Sequence, residues 1–430
     1  MDLDIVNQSA AGRDALWVID RLADAGHQAV LAGGCVRDAC LGRRPKDYDV
    51  ATDAVPERVR EIFGRRHTAG FGQAFGVIGV LPRRKHRDDA GDDPTRMVEV
   101  ATFRSDGEYH DGRRPSEVHF GDAEADAARR DFTINGLFFD PKRSRILDYV
   151  GGLADLDLQM IRTIGRPDDR FGEDRLRMLR AIRFATTLGF DIDPSTMDAI
   201  VDHAEAITVV SPERIGIEMR RILGSSAASL GLRLLRQSRL AKKVWPSLDQ
   251  ADAKSLERFE RVLGDIPGGG HSFASSLASW FLVDAPEAEV RQRLSDVRQR
   301  WRLSNAEHAG VAAIISGVWT MASGDPLPWS VLHGIATSEH ADAILRTAKR
   351  HRSDETFSNL DRSLQTLEAR MQEPRSLWDP PSILTGDDLN RWGVPAGPRY
   401  RVYLETIRAM QLDGQCTTKA DAKRWVESQR

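Results

Sequence analysis

Between Gly33 and Thr52 the chain reads GGCVRDACLGRRPKDYDVAT. Two carboxylates, Asp47 and Asp49, stand one residue apart in a β-prone run. Alternate residues of a strand share a face and lie about 7 Å apart along it. Carboxylates so placed can converge on a hard cation, which prefers oxygen ligands. Upstream, Gly33 and Gly34 open a helix and Arg37 follows within one turn. A glycine turn leading into a helix is a natural seat for phosphate, because the first N–H groups of a helix lack partners inside it. Alone, the aspartates would read as turn caps near a strand end. Beside a phosphate cradle they read as metal-assisted phosphoryl or nucleotidyl transfer.

Further groups extend this chemistry. Glu99, in MVEVATF, brings a third carboxylate if its strand lies beside that of the aspartates. Arg129, Arg130, Asp131 and Asn135 mark a helix-to-strand junction, where arginine forks suit phosphate and an amide suits a sugar hydroxyl. Asp174 and Arg177 are expected at i and i+3 on one helix face, opposite the packed side formed by Leu176, Leu179 and Ile182. The pairing edges of cytosine and adenine both present an amine donor beside a ring-nitrogen acceptor. Uracil and guanine put a carbonyl where the amine would be. One acceptor next to one donor can therefore select CTP and ATP, rejecting the others by leaving a buried polar group unpaired. The plain alternative is an ion pair between the two, worth about 0.3–0.5 kcal/mol.

The elements that must position these groups follow from pattern. Apolar spacing predicts a helix over 14–25, then a strand in QAVLAGG, a helix over 36–41 and a strand over 47–52. A helix over 55–63 follows, with Pro56 in its first turn. GVIGVL (76–81) and MVEVATF (97–103) read as antiparallel strands joined by an exposed loop, RRKHRDDAGDDPTR. FRSDGEYHDGRRP (103–115) reads as a further exposed loop, or as a lid. A helix near 123–130 and strands over 133–139 and 146–148 complete an α/β unit. Beyond Gly151–Gly152 helical periodicity dominates, with breaks at 266–270 and 379–385. The expected class is α+β: a head with a small mixed sheet (1–150), a helical neck (151–225), a helical body (226–382) and a helical tail (383–430).

Composition excludes several classes. The chain has 430 residues, 41% of them hydrophobic, and a mean hydropathy of −0.41. No apolar run reaches the ~18 residues of a membrane span. Three cysteines (Cys35, Cys40 and Cys416) support neither a disulfide framework nor a cysteine-rich zinc site. The opening residues lack the basic and apolar regions of a secretory leader, so a cytoplasmic protein is expected. Net charge is −3, with 61 basic against 64 acidic residues. Nucleic-acid contact therefore has to come from local clusters, such as the arginines between Arg162 and Arg183.

In their order along the chain, GGCVRD…KDYD, EVATFR, DGEYHDGRRP, RRDFTIN, DYVGGLADL, EDRLRMLRAIRF and SPERIGIEM resemble the motifs of CCA-adding tRNA nucleotidyltransferases and bacterial poly(A) polymerases. The tail LTGDDLNRWGVPAGPRYRVYLETIRAM is similar to that of many bacterial members, and Gly136 stands where alanine is usual. The resemblance implies that Asp47 and Asp49 bind Mg2+ and that Gly33, Gly34 and Arg37 contact the triphosphate. It places Arg129, Asp131 and Asn135 by ribose and phosphates, and Asp174 and Arg177 at the base with Arg180 beside them. The implied partners are tRNA or other RNA 3′-ends, ATP and CTP, with no membrane and no protein partner. The implied reaction is addition of CCA to tRNA. Poly(A) synthesis, addition of CC or A alone, a catalytically dead RNA-binding relative and a small-molecule nucleotidyltransferase are the rivals.

Overall fold

A computed structural model describes residues 6–72, 76–82, 97–107, 118–263, 272–324 and 326–429. The N-terminal part of the chain is built on short strands whose apolar residues are mostly covered. In chain order these are β1 (Ala29–Ala32), β2 (Asp49–Thr52), β3 (Thr68–Gly72), β4 (Val77–Val80), β5 (Val98–Thr102), β6 (Arg104–Asp106), β7 (Val118–Phe120), β8 (Leu137–Asp140) and β9 (Arg145–Asp148). Seven of them form one mixed sheet in the order β3-β4-β5-β2-β1-β8-β9, and β6 and β7 pair separately. β2 and β5 run parallel, Val50 opposite Val100, so Asp49 falls beside Glu99. β1 runs antiparallel to β2 with Ala32 opposite Asp49. The turn at Gly33 therefore begins level with Asp49 and Glu99.

Helices α1 (Ala10–Asp24), α2 (Gly34–Cys40), α3 (Pro56–Phe63) and α4 (Ala123–Ala128) accompany the sheet. Ser9 starts α1 by accepting the Gly12 N–H at 2.9 Å, and Val18, Ile19 and Leu22 are its buried stripe. Beyond β9 come α5 (Gly152–Asp157), α6 (Pro167–Glu173), α7 (Leu176–Leu188), α8 (Pro194–His203) and α9 (Pro212–Leu223). α7 ends at Gly189, which is left-handed at φ 75°.

The chain divides into two compact units, Met1–Ile222 with Leu230–Asp249, and Leu223–Ser229 with Gln250–Arg430. The described part of the second unit is helical. Its core includes buried Phe259, Trp280, Phe281 and Trp301, with Phe259 and Trp280 edge to face at 5.3 Å. Residues 384–426 gather a small core of their own around Leu389, Tyr403, Ile407 and Val426. Capping boxes at Thr385/Asp388 and Thr418/Asp421 start two of its helices.

The mixed sheet and the antiparallel pairing of β4 with β5 agree with expectation. Four boundaries differ. The first helix after the glycines covers Gly34–Cys40, and β2 begins at Asp49, leaving Asp47 just ahead of the strand. The run 133–139 splits into a 3-10 turn, Thr133–Asn135, and β8. Asp174 is extended (φ −144°, ψ 107°) and separates α6 from α7, so it does not share a helix with Arg177. Its carboxylate accepts the Leu176 N–H at 3.0 Å, the local bond by which aspartate favours a break over a helix interior. The loop 83–96 and most of the loop 103–115 lie outside the described residues.

Candidate active site

A cleft of about 870 Å³ opens beside the sheet in the first unit. Gly33, Gly34, Arg37, Asp47, Asp49, Arg129, Asp131, Asn135, Asp174, Arg177 and Arg180 all line it. Glu99 lines an adjoining cavity of about 270 Å³ together with Asp47 and Asp49. Residues drawn from 33 to 180 thus meet at one place.

At the carboxylate end, the Asp49 carboxyl is pushed up to about 6. Burial contributes most, then the charge of Glu99, with Arg130 opposing and Asp47 adding. Clustered carboxylates with this cost of ionisation are relieved by a divalent cation. Among the described residues no set of three or more His, Cys, Asp or Glu side chains is gathered closely enough to hold an ion unaided. Asp47 and Asp49 would leave the remaining positions to other oxygens.

The turn that leads into α2 depends on Gly33. Its φ is +69°, a conformation costly for residues with a side chain, and a Cβ there would lie 2.6 Å from Arg130 Nη1. Arg130 donates to the Asn135 carbonyl at 3.2 Å and to Asp126 at 2.9 and 3.2 Å. Against the upward push of burial, Arg130 and then Arg129 hold the Asp126 carboxyl below its usual range. Sequence placed Arg130 only as one of two arginines at the 129–135 junction, because nothing in RRD shows which of them turns toward the glycines.

A line of side chains crosses the cleft floor. Arg37 donates to Asp38 at 2.6 and 2.8 Å and to Asn135 Oδ1 at 2.6 Å. The Asn135 amide donates to Asp131 at 3.0 Å, and Arg180 donates to the other Asp131 oxygen at 2.7 Å. Asp131 is buried, yet Arg180 and the Asn135 amide hold its carboxyl down to about 2. The Phe184 ring anchors this floor, with guanidinium carbons of Arg37, Arg180 and Arg183 at 5.1, 5.4 and 3.7 Å from its centre.

At the far end, the Arg177 N–H donates to the Asp174 carbonyl at 3.0 Å, but their side chains take separate partners. Arg214 on α9 donates to both Asp174 oxygens, and Glu173 accepts from Arg177. Arg177 also donates to the Arg129 carbonyl at 3.1 Å, so Arg129 contributes backbone to the site as well as its side chain. Arg183 pairs with Glu218 of α9 at 2.6 Å, both buried. The Arg214 pairing joins residues 40 apart and falls within the SPERIGIEM motif of the family resemblance, whereas Glu173 was not read from sequence as a partner of Arg177.

Comparison with known proteins agrees with this arrangement. Residues 29–162 match the model of the poly A polymerase head domain, and residues 189–252 match that of a probable RNA and SrmB-binding site of polymerase A. The CCA-adding enzyme of Bacillus subtilis is 43% identical over 231 residues, a match covering 54% of this chain and 55% of that enzyme. That of Levilactobacillus brevis is 31% identical over 413 residues, 94% of each chain. The crystal structure of the Bacillus stearothermophilus CCA-adding enzyme in complex with CTP aligns over 98% of both chains, with a TM-score of 0.72 and 26% identity. The Thermotoga maritima CCA-adding enzyme complexed with tRNA shares the fold at a TM-score of 0.65 and 19% identity, covering 100% of this chain and 96% of that one. A full-length likeness at this identity, with the motif residues gathered in one cleft, shows that the chain belongs to the family of CCA-adding enzymes, which are RNA nucleotidyltransferases.

Proposed function

We propose that this protein adds C, C and A in turn to the 3′-end of tRNA, from CTP and ATP, without a template strand and with release of pyrophosphate. The observation that carries this reading is the single cleft that joins the Asp47–Asp49 pair, the glycine turn and the Asp174–Arg177 pair. The CTP complex of the similar Bacillus stearothermophilus enzyme supports the choice of ligand.

Asp47 and Asp49 would hold Mg2+, with Glu99 supplying further negative charge beside them. When bound, the metal lowers the pKa of the RNA 3′-hydroxyl and offsets charge on the triphosphate. This chain's own residues do the rest. The bare backbone at Gly33 and Gly34 lets the triphosphate approach closely, and the Arg37 guanidinium faces its charge. Asp131 and Asn135, tied to Arg37 and Arg180, fix the floor under ribose and phosphates. Asp174 accepts from the base amine and Arg177 donates to the ring nitrogen.

The 3′-hydroxyl oxygen then bonds to the α-phosphorus as the bond to the β-phosphate oxygen breaks. The region 1–150 serves as catalytic head and 151–225 as neck. The body, 226–382, and the tail, 383–430, hold RNA by backbone and shape. Among the described residues no helix is long and apolar enough to cross a membrane.

The test supplies Mg2+ and one labelled nucleotide at a time to tRNAs ending before CCA, at C, or at CC. Ordered addition that stops after A is expected. Open-ended A tailing would instead assign poly(A) synthesis. Asp47→Ala should abolish incorporation while tRNA binding, measured by gel shift, persists; retained incorporation refutes the metal assignment.

A further inference from the structure

The cations that line the cleft fall into two sets. Those of its floor each face a carboxylate: Arg37 meets Asp38, Arg130 Asp126, Arg177 Glu173, Arg180 Asp131 and Arg183 Glu218. Arg43, Arg44, Lys46 and Arg221 line the same cleft, and none of them pairs with a carboxylate among the described residues. All four are exposed. Exposed cations left without counter-charge repel one another and attract a polyanion.

Three of the four belong to the loop that delivers Asp47 and Asp49. Pro45 and Tyr48 are buried and anchor this loop, and the proline ring fixes φ at its position. Arg44, Lys46 and Asp47 are exposed around these anchors. Arg43 fastens the loop to the end of α7, donating to the Thr187 and Leu188 carbonyls at 3.5 and 3.3 Å. A cation suits the negative end of a helix. Arg44 donates to a carbonyl as well, that of Gln8 at 3.4 Å. Arg221 adds its charge from the last turn of α9. Burial chiefly pushes the Arg183 guanidinium down to about 10 against Glu218, and the charges of Arg180 and Arg221 add to that push. An anion bound here would relieve this excess of positive charge.

Position decides which anion. Arg177 lies in the first turn of α7 and Thr187 in its last, about 15 Å further along the helix. The nucleotide proposed above spans from Arg177 to the glycine turn. The cations without carboxylates gather instead where α7 ends and beside Asp47, where the 3′-hydroxyl of the RNA must arrive. We propose that Arg44, Lys46 and Arg221 bind the last phosphodiester groups of the RNA 3′-end and lead its hydroxyl to the Asp47–Asp49 pair. This rests on the RNA-extending reading given above. Contacts to phosphate carry no sequence information, so the same three cations serve an end that changes with each addition. No carboxylate pins them, which leaves their side chains free to follow the strand as it lengthens.

The test uses tRNA ending in CC and an acceptor-stem minihelix with the same end. It compares the wild type with R44Q, K46Q, K46R, R221Q and the R44Q/K46Q double variant. Gel shifts across salt concentrations give RNA affinity, and steady-state kinetics give KM for RNA and for ATP. Each glutamine variant should raise KM for both RNAs at least threefold, and the double variant at least tenfold. KM for ATP at saturating RNA should stay within twofold of the wild type. The slope of log affinity against log salt should flatten by about 0.7–0.9 for each cation removed. K46R keeps the charge and should recover most of the K46Q loss. A rise in KM for ATP equal to or above that for RNA overturns the proposal and gives these cations to the triphosphate. A loss with tRNA that the minihelix does not share overturns it as well. Should thermal melting show R221Q unfolded, R44Q and K46Q decide by the same readouts. A wild type that extends neither RNA overturns the parent reading and this inference with it; an active wild type with RNA affinity and salt slope unchanged in the variants overturns this inference alone.

Discussion

At the scale of single residues, the glycine that begins α2 does two separate things. Its φ of +69° is costly for a residue with a side chain, and the space its Cβ would need is held by Arg130 Nη1 at 2.6 Å. Gly33→Ala should therefore cost about 1–2 kcal/mol of backbone strain and also push Arg130 off the Asn135 carbonyl. The expected result is a tenfold or greater rise in KM for CTP and ATP with tRNA affinity within twofold of wild type. Steady-state kinetics and a gel shift check the two halves. Gly33, Arg37, Asp47 and Asp49 were legible in sequence because close spacing made their chemistry local. Glu173 was not, and Arg130 and Arg214 were legible only as members of the motifs RRDFTIN and SPERIGIEM, since a run such as RRD or ED carries several equivalent groups and only the folded neighbours assign each a partner.

At the scale of elements, the break between the 3-10 turn Thr133–Asn135 and β8 sets where Asn135 lies. Gly136 forms this break, and a Cβ there would meet Val150 Cγ2 at 2.6 Å and Ile164 Cδ1 at 3.3 Å. Alanine is usual at this position in the family the sequence resembles, and its extra methyl was expected to leave the chemistry unchanged. Here Val150 fills that space, so the consequence of the substitution lies in packing. Gly136→Ala should destabilise the protein by about 1–3 kcal/mol. Val150→Ala in the same background should recover most of that, as read from urea unfolding in a double-mutant cycle. The strand expected over 133–139 failed at this point, because apolar alternation cannot register a turn fixed by Asn135 donating to Asp131. Strand β5 was legible because its residues alternate between buried and more exposed positions, and β4 because it is a short, mostly buried apolar run.

At the scale of the whole molecule, an α+β head followed by helices was readable from the change in periodicity after Gly152. The division into two compact units was not, since it turns on which helices pack together rather than on composition. The units should respond differently to acid. In the second, His351 is buried, neither ring nitrogen has a hydrogen-bond partner among the described residues, and its pKa is pushed down to about 4, chiefly by burial. The unfolded imidazole takes a proton below about 6.5 while the folded one does not until about 4. Its contribution is complete above 6.5 and lost as pH falls toward 4, by up to about 3 kcal/mol. Hydrogen exchange at pH 7.5 and 5 should show the second unit loosening, and His351→Leu should remove much of that change. In the first unit Asp131, held near 2, keeps its full contribution above about 3.8 and loses it only as pH falls toward 2.

The line from Arg180 through Asp131 and Asn135 to Arg37 gives the first unit a further property. It ties α7, which carries Arg177, to α2, which carries Arg37, each side chain oriented by the next. A nucleotide that fits badly at α7 would pass its misfit along this line to the phosphate end. Fidelity would then be expressed in the rate of bond formation as well as in affinity, a proofreading of alignment performed by one protein with no second strand to consult.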